Sequence, residues 1–233
     1  MVVEHINPID KTGLKVNYSD ELGTWAQPLI QIIIQRYMDN LAWFINQKYA
    51  SPEQIYPCDK DDVFRAFRMC KYDELKVIFI GKQPYSNLKS NGLAYGVAED
   101  TIMIPPALNN IKTCVENTTY KYQDNKKTFD YTLESWAEQG CLMLNTSLTS
   151  EFHNSHHKCW AHFTRFVIKH INLTHQNIAF VFLDNTCNYY KQFIDEKKHK
   201  IFSNDEIVLP KDSRIFYDLD KYVHHYHKEL IEW

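Results

Sequence analysis

Residues 77–86 read VIFIGKQPYS, and an echo, NGLAYGV, follows at 91–97. Val77, Ile78, Phe79 and Ile80 are an apolar run of four with no polar face, the pattern of a strand buried on both sides of a parallel sheet. Gly81 lets the backbone turn tightly or approach a ligand, and Pro84 stiffens the next step. A polar and aromatic loop leaving the carboxyl end of a central strand is where α/β folds place ligands. This strand end is the candidate site.

Outward from that strand, helices and strands alternate. Residues 1–24 read as an amino-terminal arm and 25–233 as one domain, because no linker, charge block or repeat divides them. Apolar residues recur at helical spacing over 25–49, with Pro28 in the first turn, and 60–70 reads as a helix with Asp59 as its N-cap. Further helices are expected over 107–117, 133–139, 160–171, 189–196 and 217–230, with Trp233 as a tail. Buried strands are expected at 142–144 and 178–183, and a fourth at 207–209. The alternation implies right-handed crossovers and a single-domain α/β fold, a four-stranded parallel sheet with helices on both faces.

The 233 residues are 44% hydrophobic and 14% aromatic, ample for one large core. No basic start with an apolar run opens the chain, and polar residues interrupt Ile30–Ile34 well short of a membrane span of ~20 residues, so no signal peptide or membrane association is expected. The six cysteines are scattered without a CxxC pair, which points to reduced, buried thiols in a cytoplasmic protein rather than a disulfide framework or a zinc site. No cofactor is expected. Usage rich in Lys, Asn, Ile and Tyr suits a virus, phage or low-GC element. A net charge of −3 gives a poor global footprint for nucleic acid, though a local basic groove is compatible with it.

The loop GKQPYS resembles the water-activating loop of family 1 uracil-DNA glycosylases, GQDPYH. Other blocks follow in the family's order: IYP at 55–57, FRAF at 64–67, LKVIFIG at 75–81, NGLAYGV, PPALNNI at 105–111, GCLMLNTSLTS at 140–150 and NSHHKCWAHFT at 154–164. Such enzymes flip a base into a pocket and read its edge. The resemblance implies a base pocket of Tyr95 as the stacking aromatic, Asn145 as the uracil-reading amide, Tyr85 as the wall excluding a 5-methyl group, and Ser86 at the loop histidine. One amide supplies both the donor and the acceptor that uracil requires.

The departures from the family matter as much. Gln83 stands at the catalytic Asp; an amide holds water but neither takes its proton nor supplies negative charge. No HPSP loop follows, and Leu209 is the approximate counterpart of its His, with Lys211, Ser213 or Arg214 as replacement donors should the loop fold inward. Pro105 and Pro106 lead to Ala107 instead of the family's phosphate-gripping Ser, whereas Asn154, Ser155, His156 and Trp160 are retained as scaffold. Two missing groups imply a pseudo-enzyme that binds without base excision. Its partner would be DNA, a replication factor or a DNA-mimicking glycosylase-inhibitor-type protein, gripped by a rim of Lys82, Lys89, Pro105, Pro106, Lys211, Ser213 and Arg214 on a monomer. The alternative is an active glycosylase of altered mechanism with Gln83 positioning water, as other branches of the superfamily use an amide there.

Overall fold

The computed structural model describes residues 17–86, 89–118, 128–204 and 209–233. Its helices are α1 Tyr18–Leu22, α2 Ile30–Ile33, α3 Arg36–Ala50, α4 Arg65–Met69, α5 Pro106–Thr118, α6 Glu134–Glu138, α7 His157–Thr174 and α8 Ile215–His227. Its strands are β1 Ile55–Tyr56, β2 Val77–Gly81, β3 Cys141–Asn145, β4 Ser150–Glu151, β5 Asn154–Ser155, β6 Ala179–Phe182 and β7 Lys200–Ser203. The main sheet has the order β3-β2-β6-β7 and every pairing in it is parallel. As expected for strands covered on both faces, β2, β3 and β6 are buried throughout.

Several boundaries differ from the sequence reading. The stretch 25–49 is three pieces, a 3₁₀ turn at Gly23–Trp25, then α2, then α3. Pro28 lies in the turn before α2, and Gln35 adopts an extended backbone that separates α2 from α3. The apolar spacing persists because both helices face one core, through Leu29, Ile32, Ile33, Met38, Leu41 and Ile45. Residues 60–70 split likewise into a 3₁₀ turn, capped by the Asp59 carboxylate on the Asp61 N–H at 3.0 Å, and α4. Residues 185–193 form 3₁₀ helix. The expected arm, 1–24, is joined to the domain at its end, since α1 packs Tyr18 and Leu22 into the core; residues 1–16 lie outside the described residues.

The fourth strand is Lys200–Ser203, not 207–209. Residues 207 and 208 lie outside the described residues, and Leu209 is buried in the core without strand pairing. A second, antiparallel sheet of two-residue strands, β1-β4-β5, was not foreseen. Nor is Trp233 a tail: it is buried, its ring 5.0 Å from Trp136 and 5.2 Å from Phe216, and its indole N–H donates to Asp220 at 2.7 Å. Among the described residues all six cysteines are free, no helix is long and apolar enough to cross a membrane, and no cluster of three His, Cys, Asp or Glu could hold a metal ion.

Candidate active site at the strand ends

The parallel sheet brings the carboxyl ends of β2, β3 and β6 to one edge. In that register Gly81 pairs with Asn145. A Cβ at Gly81 would lie 2.7 Å from Asn145 Oδ1 and 2.9 Å from Ala94 Cβ. Glycine is therefore required here for the close approach of two protein segments. It lets the Asn145 amide lie across the end of β2 beside the 91–97 turn. That turn is in turn fixed to β3 by the Ala94 N–H on the Met143 carbonyl at 2.9 Å.

The GKQPYS loop is held from below by hydroxyl-bearing residues after β3. The Gly81 carbonyl accepts from the Thr146 N–H at 2.7 Å. The Lys82 carbonyl accepts from the Ser147 N–H at 3.0 Å and the Thr146 hydroxyl at 2.9 Å. The Pro84 carbonyl accepts from the Ser150 hydroxyl at 3.3 Å. The run 146–151 is wholly buried yet polar, which is tolerable because its groups are paired. Thr149 Oγ1 accepts from the Trp160 indole at 2.8 Å and meets His156 Nδ1 at 2.9 Å. Burial alone would raise the Glu151 carboxyl, but hydrogen bonds from Lys48 and from Asn154 (2.9 Å) bring it down to about 2. Asn154, His156 and Trp160 thus act as the scaffold the sequence suggested, and the scaffold carries the loop.

In the pocket itself, Asn145 is 1% exposed and its Nδ2 has no partner among the described residues. The Tyr85 hydroxyl is likewise buried and unpartnered. Buried orphans are few in native structures, and each calls for an explanation. Two of them lie at one predicted pocket, where a hydrogen-bonding ligand would satisfy both. Tyr95 holds a left-handed backbone (φ 66°), and its single hydroxyl proton is shared between the Ile80 carbonyl at 3.2 Å and Asp184 Oδ2 at 3.3 Å. Burial pushes both phenols far up, and the charge of Asp184 adds to it. Gln83 is half-buried between exposed Lys82 and buried Pro84; Ser86 is half-buried at the loop's end.

Other expected rim residues are dispersed. Lys89 pairs with Asp100, Pro105 is buried, and Pro106 opens α5. The 209–214 segment lies against the last turn of α5, where Asn117 Nδ2 donates to the Lys211 carbonyl and the Cys114 thiol to the Ser213 carbonyl, both at 3.0 Å. That turn is about 16 Å from the Pro106 end at 1.5 Å per residue. The Arg214 guanidinium lies over the Tyr217 ring at 4.8 Å. Because β7 ends at Ser203, the loop leaving the sheet's carboxyl edge starts at Asn204, ahead of Leu209. Lys211 and Ser213 are thus tied to α5 and Arg214 to α8, while Leu209 packs in the core. The sequence reading passed over Asp184, which looks like the ordinary N-cap of the following turn and does accept the Thr186 N–H at 2.8 Å.

Comparison with known proteins decides the family. No protein-family model matches the chain. A uracil-DNA glycosylase of Francisella tularensis subsp. novicida is 30% identical over 90% of this chain and 98% of that one. One from Actinobacillus succinogenes is 31% identical over 78% and 82%. The chain belongs to the uracil-DNA glycosylase family. Among solved structures, the mimivirus uracil-DNA glycosylase superposes with a TM-score of 0.80 at 20% identity, covering 94% of this chain and 89% of that chain. A variant of mimivirus UNG in complex with UGI gives the same TM-score at 19% identity, covering 94% and 91%. A uracil-DNA glycosylase fold accordingly underlies the pocket, built on the four-stranded parallel sheet.

Proposed function

We propose that this chain excises uracil from DNA, hydrolysing the N-glycosidic bond with a water held at the Gln83 amide. The observation that carries the reading is the buried, unpartnered Nδ2 of Asn145 at the end of β3. The uracil O4 would accept from that amide nitrogen, while the ring stacks on Tyr95 and meets Tyr85 at its 5-position. The backbone anchors on Gly81, Lys82 and Pro84 preorganise the loop, which matters because catalytic positioning tolerates little slack. The relatives named uracil-DNA glycosylase span most of the chain and weigh against the binding-only expectation drawn from Gln83 and Leu209. With a net charge of −3, recognition rests on the pocket more than on long-range steering. The direct test is abasic-site formation on single-stranded uracil DNA by the pure protein, with a thymine oligonucleotide as control. Uracil-dependent, multiple-turnover cleavage is expected; none above background would remove the reading.

A second reading keeps the pocket for binding alone, on the ground that Gln83 brings no negative charge to the water position. Under it, the protein engages DNA or a DNA-mimicking inhibitor without releasing uracil. Titration with both ligands alongside the cleavage assay separates the two readings.

A further inference from the structure

An anion near the sugar stabilises the positive charge that develops as a glycosidic bond opens, and Gln83 does not provide one. Among the described residues, the carboxylate hydrogen-bonded to a pocket side chain is that of Asp184. It sits just past β6, the strand beside β2, so it emerges on the same edge of the sheet as Gln83 and Asn145. Its two oxygens are differently occupied. Oδ1 is committed to Thr186, from the N–H at 2.8 Å and from the hydroxyl. Oδ2 receives a single long bond, 3.3 Å from the Tyr95 hydroxyl, and keeps a lone pair for a further donor. Asp184 is partly exposed, so water reaches it, while the buried hydroxyl of Tyr85 sits within its field.

We propose that Asp184 supplies from the end of β6 the carboxylate that the Gln83 position lacks. This rests on the uracil-excision reading above. The bond from C1′ to N1 of uracil breaks with its electron pair leaving on the base, and Asp184 offsets the positive charge left on the sugar. The water oxygen bonds to C1′, one water proton passes to Asp184 and then to solvent, and the uracil anion takes a proton from solvent. Gln83 orients the water; Asp184 takes its proton. The groups facing the carboxylate are Tyr95 and Tyr85 from the segments after β2, and Cys187 on the following turn, which in turn faces Lys82. Burial pushes both phenols and the thiol up, so none of the three is an anion at neutral pH.

The test compares the full chain with Asp184→Asn, Tyr95→Phe and Gln83→Ala on a single-stranded uracil oligonucleotide, in single-turnover assays across pH. Asparagine keeps the acceptor for the Thr186 N–H and nearly the same shape, and thermal melting checks that the fold is kept. Asp184→Asn is expected to slow release by about 10²–10⁴-fold, the usual worth of general base catalysis. Its binding to the oligonucleotide should stay within about threefold of the parent, so that the loss falls on the chemical step. Tyr95→Phe breaks the hydrogen bond yet leaves the carboxylate, and should cost under about tenfold, because the bond is long and its proton is shared with the Ile80 carbonyl. Asp184→Asn acting within about threefold of the parent, or Tyr95→Phe falling as far as Asp184→Asn, would overturn the assignment. The second outcome would leave Asp184 a mere anchor for the ring. If the parent itself releases no uracil, the excision reading falls and this one with it; release undiminished in Asp184→Asn sinks this one alone.

Discussion

Asn145 illustrates how a single side chain can be stabilising for function and costly for the fold. Its buried Nδ2 has no hydrogen-bond partner among the described residues, and a buried donor without a protein partner costs about 1–3 kcal/mol. Asn145→Leu, similar in shape and without polar atoms, should therefore melt no lower than the parent while uracil release drops by at least about 10- to 100-fold, the worth of one buried hydrogen bond. Paired melting and cleavage assays check both halves; a melting temperature falling with activity would mark Asn145 as structural. That Asn145 and Tyr95 meet at one end of the sheet was legible in the sequence, because each follows an apolar run or its echo, while the roles given to them and to Tyr85 came from the family resemblance. Asp184 was not legible, since its reach to Tyr95 depends on β6 lying next to β2, which no local pattern encodes.

Among the elements, long apolar strands were legible and short or broken pieces were not. The strands β2, β3 and β6 read as uninterrupted apolar runs. By contrast β7, at the sheet's edge, buries only Ile201 and Phe202, and those only in part, and it was placed too late in the chain. The sheet β1-β4-β5 has two residues per strand, too few for any period to register. The 91–97 turn shows what an element owes to one position. Gly92 has φ +85°, and a Cβ there would lie 2.0 Å from the Asp62 carbonyl oxygen. Gly92→Ala should cost more than about 1–2 kcal/mol, the price of a left-handed backbone before the clash is added. The effect should appear as a lower urea midpoint, together with weaker uracil release as the Tyr95 wall shifts.

Over the whole molecule, the buried aromatic closure around Trp233 carries a pH signature. Burial raises the Asp220 carboxyl to about 7, against the opposing hydrogen bond from Trp233. The folded value lies above the unfolded one of about 3.9. The stability contributed by the protonated form is therefore complete below about pH 4 and is lost as pH rises through about 7. Asp220→Asn, which keeps an acceptor for the indole, should flatten the parent's fall in melting temperature between pH 5 and pH 8; an unchanged slope would show that the group does not titrate there. The order of the main sheet has a consequence for the life of the chain before it is folded. Val77 in the central strand pairs with Cys141 on one side and Ala179 on the other. Both neighbours are synthesised long after it, a wait on the order of seconds at about 5–20 residues per second. Through that interval the most apolar strand of the protein has two unpaired edges, so the nascent chain depends on shielding by whatever holds it at the ribosome.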